Sequence, residues 1–318
     1  MALSDIFLTA ILPVVTIAGV GAVLGRHTDV DPNSLNTVVV YVLAPALIVY
    51  SLATTRVGTG TIARIAVGVA AFTLGMGAIA AAVGRLRGHD DAFVGLLVLV
   101  TAFTNCGNYG LPLSTFAFGD VGRSTAVVYL VAQSLLVFSA GVYVAAWSGG
   151  SRGGAGMRRV LELPLLYAVL AGLVARWLGL VPPVDSNAME TLRLVGDAAI
   201  PVMLLVLGIQ LERADVGTAL HRVAEPTVLK MAVAPAVAVA VGLLLGIDAP
   251  DVTRTFVLES AMPTAVFPLI LLTEFAGDAS VDGVPLPQYA SAVILVTTLV
   301  SVPVLTALIA LLRSGVVV

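Results

Sequence analysis

Apolar runs of about 20 residues recur along the whole chain, and short polar segments separate them. A run of about this length forms a helix that crosses the ~30 Å hydrocarbon core of a bilayer. A membrane β-barrel would instead alternate apolar and polar residues in strands of about ten residues, which these runs do not. The pattern predicts an all-α polytopic membrane protein with ten transmembrane helices, at residues 6–25, 36–53, 62–83, 91–118, 121–146, 161–179, 190–211, 226–246, 252–276 and 288–312.

The composition agrees with this fold class. Of the 318 residues, 59% are hydrophobic and only 11% are charged, whereas a soluble domain carries roughly 25% charged residues. The formal net charge of −3 argues against a nucleic-acid partner. Cys106 is the single cysteine, so the chain forms no intrachain disulfide.

A glycine- and serine-rich segment, Trp147 to Arg159, lies near the midpoint of the chain. Such a composition is typical of a flexible linker. Five predicted spans precede it and five follow, so a duplicated five-helix unit would insert in opposite orientations. We expect an N-terminal repeat at 1–146, a linker at 147–160 and a C-terminal repeat at 161–318.

Two pairs of segments support this repeat. Leu12–Arg26 resembles Leu163–Arg176, and each opens on a leucine–proline pair. Leu43–Leu52 likewise resembles Ala199–Gly208. The loops that hold more arginine and lysine include the central linker, and the positive-inside rule places these loops in the cytoplasm. We therefore expect a protein of the cell membrane with both termini outside.

Two of the predicted spans contain strong helix breakers. The fourth carries "TAFTNCGNYGLPLSTFAFG", where we expect a break at Pro112, and the ninth carries "ESAMPTAVFPLILLTEF", where we expect breaks at Pro263 and Pro268. Irregular backbone survives at membrane depth only inside protein or around water. Paired interruptions in corresponding spans of inverted halves indicate the binding site of a secondary transporter.

The same two segments resemble the auxin efflux carrier family, which includes the plant PIN carriers and microbial dicarboxylate permeases. The fourth span matches the family pattern of an asparagine followed by Gly-x-Pro-Leu, here Asn105 and then Gly110, Leu111, Pro112 and Leu113. The ninth span matches the PIN pattern of two prolines followed by an acidic–aromatic pair, here Ala261, Met262, Pro263, Pro268, Glu274 and Phe275.

The resemblance implies an inverted-repeat fold similar to that of bile-acid and sodium–proton transporters. Spans 1, 2, 6 and 7 would form a scaffold and a homodimer interface, and spans 3–5 and 8–10 a moving domain with the crossing helices at its centre. The implied activity is efflux or exchange of small organic anions, such as auxin-like monocarboxylates or dicarboxylates, by elevator-type alternating access. The linker here is short, unlike the large regulated loop of the long plant carriers.

Asn105 matches the asparagine of the family pattern, so the resemblance makes it the strongest candidate for contact with a substrate carboxylate; its amide can donate hydrogen bonds where helix N-termini also favour an anion. The alternative is an amide that only caps a broken helix end. Gln133 and Ser134 could line the same cavity or form an interhelical hydrogen bond. The remaining substrate-site candidates are Gly107, Asn108, Gly110, Pro112, Pro263, Thr264 and Pro268.

Two ionisable residues within spans are candidates for ion coupling. Glu259 could take up a coupling proton or ligate Na⁺; alternatively it reaches water or pairs with Arg254. Lys230 most simply extends its ammonium to the membrane interface, although it could attract an anion. Beyond H⁺ or Na⁺ we expect no cofactor.

Other residues indicate no further chemistry. His27, His89 and His221 fall in predicted loops without metal-ligand spacing, and we expect Arg64 and Arg193 to form buried pairs. No nucleophile or phosphate-binding motif indicates an enzyme. The leading hypothesis is a secondary transporter of organic anions; the alternatives are a Na⁺-coupled importer of the bile-acid type, or a non-transporting sensor or channel on the same fold.

Overall fold

The computed structural model describes residues 5, 7–54, 58–150, 164–214, 223–246 and 249–316. Helices dominate, and a two-stranded antiparallel hairpin precedes the last of them. The helices are α1 (Phe7–His27), α2 (Pro32–Thr54), α3 (Thr59–Leu86), α4 (Asp91–Ala102), α5 (Cys106–Ser148), α6 (Pro164–Trp177), α7 (Asn187–Glu212), α8 (Ala224–Leu244), α9 (Pro250–Ser260), α10 (Phe267–Phe275) and α11 (Leu286–Arg313); the strands are β1 (Ser280–Val281) and β2 (Val284–Pro285).

Within the described residues, seven helices are long and apolar enough to cross a membrane: α1, α2, α3, α5, α7, α8 and α11. The chain is therefore an all-α, multi-pass membrane protein, as the apolar runs predict. The region predicted as span 4 (91–118) and span 5 (121–146) has different helix boundaries in the structure. Here α5 alone contains 43 residues and is kinked at Gly119, which has a φ of 61°.

Polar side chains begin several helices. Asp31 caps α2 by accepting from the backbone amides of Asn33 and Ser34, both at 3.1 Å. The Ser34 hydroxyl and the Asn33 amide hold the pKa of this exposed carboxyl below its ordinary value. Asp90 caps α4 in the same way, accepting from the Phe93 amide at 2.8 Å.

Four prolines inside long helices each follow a wide π-helical turn. Such a turn accommodates the proline ring, which otherwise clashes with the carbonyl four residues earlier. Four of these turns end two residues before a proline, at Phe7–Ile11 before Pro13, Val39–Leu43 before Pro45, Cys106–Gly110 before Pro112 and Leu229–Val233 before Pro235. Pro112 consequently lies inside α5, and the break predicted there occurs elsewhere.

The predicted fourth span is interrupted at residues 103–105, between α4 and α5. The predicted ninth span is interrupted at residues 261–266, between α9 and α10. Pro263 lies within this second break, whereas Pro268 lies in the first turn of α10. We call these segments the first break and the second break.

Helix contacts fall into two sets. In one, α1 packs along the second half of α7, and α2 packs against α6 and the first half of α7. Small residues permit the closest approach, because a Cβ at Gly21 or Gly208 would collide with the backbone of the facing helix. In the other set, α3 packs on α4 and α5, α9 packs on α5 and α8, and α10 packs on α11.

Candidate functional site

The two breaks pair with each other through their backbones. The Asn105 amide donates to the Pro263 carbonyl at 2.8 Å, and the Ala265 amide donates to the Phe103 carbonyl at 3.1 Å. Thr104 and Thr264 thereby form an antiparallel β-bridge. Each break supplies hydrogen-bond partners for backbone groups that would otherwise be unpaired inside an apolar protein.

One long helix supports each break from the side. Gln133 on α5 accepts from the Thr104 amide at 3.1 Å and from its hydroxyl at 2.8 Å, and donates to its carbonyl at 2.7 Å. Thr297 on α11 accepts from the Thr264 amide at 3.2 Å. The Thr264 hydroxyl in turn donates to the Val100 carbonyl at 2.7 Å.

A cavity of about 320 Å³ lies beside the first break. Its walls come from α2, α5, α7 and α11 and from the chain between residues 265 and 270. Five of the predicted site residues line it: Asn105, Gly107, Asn108, Gln133 and Ser134. Other predicted residues are not among its lining residues: Gly110, Pro112, Pro263, Thr264, Pro268, Glu259 and Lys230.

The sequence analysis missed the polar residues that the other helices contribute to this cavity. Asn33 and Asn36 come from the first turns of α2, and Gln210 and Arg213 come from the end of α7. Gln210 carries the same signal as Gln133, an amide within an apolar run. The residues near helix ends carried no such signal, because polar residues are common at the membrane interface.

Asn105 is 5% exposed and borders the cavity. Its Nδ2 has no hydrogen-bond partner among the described residues. Its side chain makes no capping bond to α5, so the alternative of a helix-capping amide is wrong. A buried amide donor without a partner at the edge of a cavity is a group that a ligand can satisfy.

Gln133 lines the cavity, but its amide is occupied. Besides its three bonds to Thr104, its Nε2 donates to Cys106 Sγ at 3.1 Å. The Ser134 hydroxyl donates to the Leu130 carbonyl at 2.7 Å. Gln133 therefore forms structural hydrogen bonds, as the alternative interpretation expected. These bonds hold Thr104 in place within the first break.

Glu259 is fully buried near the end of α9. Its Oε1 accepts from the Ser114 hydroxyl at 2.5 Å, while its Oε2 has no partner among the described residues. A Cβ at Gly110 would collide with this carboxyl group. Arg254 instead pairs with Asp251 at 3.0 Å, so the alternatives of a water-exposed Glu259 or an Arg254 pair are wrong. The carboxyl group thus lies beside the second and third turns of α5.

Lys230 is also fully buried, which contradicts the expectation that it reaches the membrane interface. Its Nζ donates to the Thr101 carbonyl at 2.8 Å, in the last turn of α4. The Phe72 ring centroid lies 5.9 Å from the same atom. A cation here complements the negative end of the α4 dipole and pairs one of its last carbonyls.

The remaining predicted residues lie outside this site. The Arg64 guanidinium donates to the Gly246 carbonyl at 2.5 Å, and Arg193 pairs with Glu190 at 2.7 Å and with Asp197 at 3.6 Å. Both arginines are exposed, so the expectation of buried pairs is wrong. His221 lies outside the described residues, within which no cluster of three acidic, histidine or cysteine side chains could hold a metal ion.

Comparison with known proteins relates this chain to membrane transporters. A sequence model described as "Membrane transport protein" matches residues 6–151 and 155–309. An "Uncharacterized transporter" of Methanothermobacter thermautotrophicus is 29% identical over 92% of this chain and 94% of its own length. A "Putative malonate transporter" of Rhizobium meliloti is 26% identical over 88% of this chain and 87% of its own length. An uncharacterized transporter of Methanocaldococcus jannaschii is 21% identical over 84% of this chain and 88% of its own length.

The family match covers nearly the whole chain and includes both breaks and the cavity beside them. The expected family membership is thus confirmed. The chain belongs to the membrane transport protein family of auxin efflux carriers, and it is a membrane transporter.

Proposed function

We propose that this transporter is a secondary carrier of small organic anions and binds the substrate carboxylate at Asn105. The observation that carries the proposal is the unpaired, buried Nδ2 of Asn105 at the edge of the cavity. A carboxylate oxygen is a strong acceptor for such a donor. Burying the anion beside neutral donors and helix termini requires no cationic side chain at the bottom of the cavity.

The rest of the cavity supports a small, partly apolar substrate. Apolar side chains such as Val137, Phe138 and Met203 form much of the wall, and Arg213 lies on the side of α2 and α7. A volume of about 320 Å³ is at the small end of the range for ligand pockets, ~300–1,000 Å³. The relative named for malonate transport favours dicarboxylates within this class.

Alternating access by an elevator-type motion is the mechanism we propose. In the topology we propose, α4 and the start of α5 form span 4, the rest of α5 forms span 5, and α9 with α10 forms span 9. The protein then has ten spans in two inverted repeats. The packing of α1, α2, α6 and α7 against one another supports a scaffold, and the second set of helices would form the moving domain.

An ion pair near the middle of α7 supports a closed side. Arg123 on α5 pairs with Asp197 on α7, and the Arg123 side chain is largely buried. Asp197 lies 13 residues before Gln210, or about 20 Å along a helix. The ion pair would thus close α5 against α7 at a distance from the cavity, as expected for the closed side in one state of an alternating-access cycle. Positive-inside bias would place the linker in the cytoplasm and both termini outside the cell.

The buried carboxyl group of Glu259 supports coupling of transport to an ion. It also supports the second candidate function, a Na⁺-coupled importer. A buried carboxyl group with one unpaired oxygen can exchange a proton or contribute an oxygen ligand to Na⁺. A homodimer formed through the scaffold helices remains an expectation from the resemblance.

Flux measurements in proteoliposomes test the proposal. Purified protein is reconstituted and the uptake of labelled malonate, succinate and an aromatic monocarboxylate is followed under imposed H⁺ and Na⁺ gradients. We expect saturable flux of at least one carboxylate. The proposal would be contradicted if none of these compounds showed saturable flux. A cooperative thermal unfolding transition would show that the protein used was folded. Flux that stops without Na⁺ would favour the importer.

A further inference from the structure

A second groove lies away from the cavity, between α3, α4 and the end of α5, and has a volume of about 430 Å³. One face of α3 forms its longest wall, with side chains at helical spacing: Thr73, Leu74, Gly77, Ala78, Ala81 and Arg85. This face extends over about 18 Å, which is the length of 12 residues of helix. Small residues on α3 make the groove concave.

Both ends of the groove can be placed in the fold. Arg85 is in the last turn of α3 and Trp147 is in the last turn of α5, and the polar residues that follow α3 mark a membrane–water interface. Both helix ends pack beside the start of α4, where Gly84 contacts Val94 and Gly95 contacts Ser148. The opposite end of the groove reaches Phe103 in the first break.

The groove is open towards the side of the helix bundle. Leu74 is 60% exposed and Tyr143 is 62% exposed, although both are large side chains. In a bilayer, acyl chains face such a surface. Trp147 and Tyr143 place amphipathic rings near the same end as Arg85, as in the aromatic belts of membrane proteins.

Arg85 provides a charge that this end of the groove does not neutralise. The guanidinium is exposed, and no hydrogen bond or ion pair of Arg85 is found among the described residues. The neighbouring Arg87 differs, because it lies 3.8 Å from Glu225. An unpaired cation above an apolar groove complements a phosphate group above an acyl chain.

We propose that this groove is a binding site for an anionic phospholipid, with the headgroup phosphate on Arg85 and one acyl chain along α3. The inference does not depend on the transported substrate or on the direction of transport. Because the groove reaches Phe103, the bound chain contacts the first residue of the first break.

Fluorescence quenching can test the site, because the chain has only two tryptophans. In a Trp177→Phe background, Trp147 is the only tryptophan and reports the groove. In a Trp147→Phe background, Trp177 on α6 reports the general lipid surface. Each protein is placed in phosphatidylcholine nanodiscs that contain a small fraction of brominated phosphatidylglycerol or brominated phosphatidylcholine.

We expect brominated phosphatidylglycerol to quench Trp147 with about fivefold preference over brominated phosphatidylcholine, the ratio that one arginine–headgroup attraction supports. Arg85→Gln should abolish the preference, and Arg26→Gln, which removes an exposed arginine at the end of α1, should preserve it. Ala81→Phe should reduce quenching by both lipids because its ring occupies the groove.

The proposal is overturned by either of two results. One is equal quenching of Trp147 by the two lipids, or a preference that survives in Arg85→Gln. The other is the same preference at Trp177, which would mean that anionic lipid collects around the whole protein. Loss of transport activity would not affect the test, since quenching is measured on folded protein without substrate.

Discussion

The first break and the second break have the same backbone arrangement but different side-chain chemistry. Each pairs with the other across the Thr104–Thr264 bridge, and each is supported by a side chain from a neighbouring long helix. In the second break, Thr264 uses both its amide and its hydroxyl in hydrogen bonds. In the first break, the Nδ2 of Asn105 remains unpaired.

Charged side chains also lie near the first break. Lys230 and Glu259, both from the C-terminal half, contact the two helices that flank the first break. The two breaks thus share one backbone arrangement. The unpaired side-chain donor, Asn105 Nδ2, lies at the first break.

The largest expected effect is the loss of substrate binding in Asn105→Ala. A hydrogen bond to a charged group contributes about 1.5–3 kcal/mol, so affinity for the carboxylate should fall by roughly 10–100-fold. The apparent Tm should be unchanged or higher, because the lost donor is unpaired. Thr264→Val in the second break should retain more flux while lowering the Tm. Binding measured by thermal shift, together with flux, checks both, and equal loss in the two variants would contradict the asymmetry.

Glu259→Gln should flatten the dependence of flux on pH or on Na⁺, because the amide keeps the shape but cannot ionise. Ser114→Ala is the matched control: it removes the hydrogen bond to Glu259 and leaves the carboxyl group. We expect Ser114→Ala to shift the dependence and not to abolish it. Initial rates between pH 5 and pH 8, with Na⁺ or choline, measure both. An unaltered profile in Glu259→Gln would make Glu259 a structural residue.

Gln133→Leu should destabilise the protein by about 2–3 kcal/mol, because it leaves the amide and carbonyl of Thr104 buried without partners. Thr297→Val removes one hydrogen bond at the second break and should have an effect of about 1 kcal/mol. Thermal unfolding in the same detergent compares them. A Tm that falls equally in both variants would show that the two supports are equivalent.

The smallest expected effect on stability is that of Lys230→Met. The variant loses the bond to the Thr101 carbonyl but also removes the free-energy penalty of burying an ammonium group. The two changes offset each other, so we expect a change within about 1 kcal/mol. A loss as large as that of Gln133→Leu would show that Lys230 holds the end of α4 in place.

The sequence predicted the main elements because their signals are local. Apolar length identifies a membrane helix, and clustered glycine, proline and asparagine identify a segment where a helix cannot continue. The position of the first break was less predictable. Pro112 is a strong breaker on its own, but the wide turn at Cys106–Gly110 accommodates it, and the chain departs from the helix at residues 103–105 instead.

Burial of a charged side chain depends on the neighbouring helices. Lys230 lies close enough to the start of α8 to reach water in an isolated helix, yet it is fully buried because α4 ends beside it and offers the Thr101 carbonyl. Arg213 and Asn33 are likewise ordinary residues near helix ends until α2 and α7 bring them to one cavity. These contacts between different helices leave no pattern along the sequence.

The sequence by itself determined the fold class and the two interrupted helices, and it singled out Asn105 as the candidate site residue, because each depends on residue types within one short segment. Only the tertiary structure decided which backbone groups of the two breaks pair, which polar side chains stay unpaired and which residues line the cavity. These properties are set by distances between residues more than 100 positions apart, such as Thr104 and Thr264. Hydrogen-bond satisfaction in an apolar interior is a property of such contacts and not of any one segment.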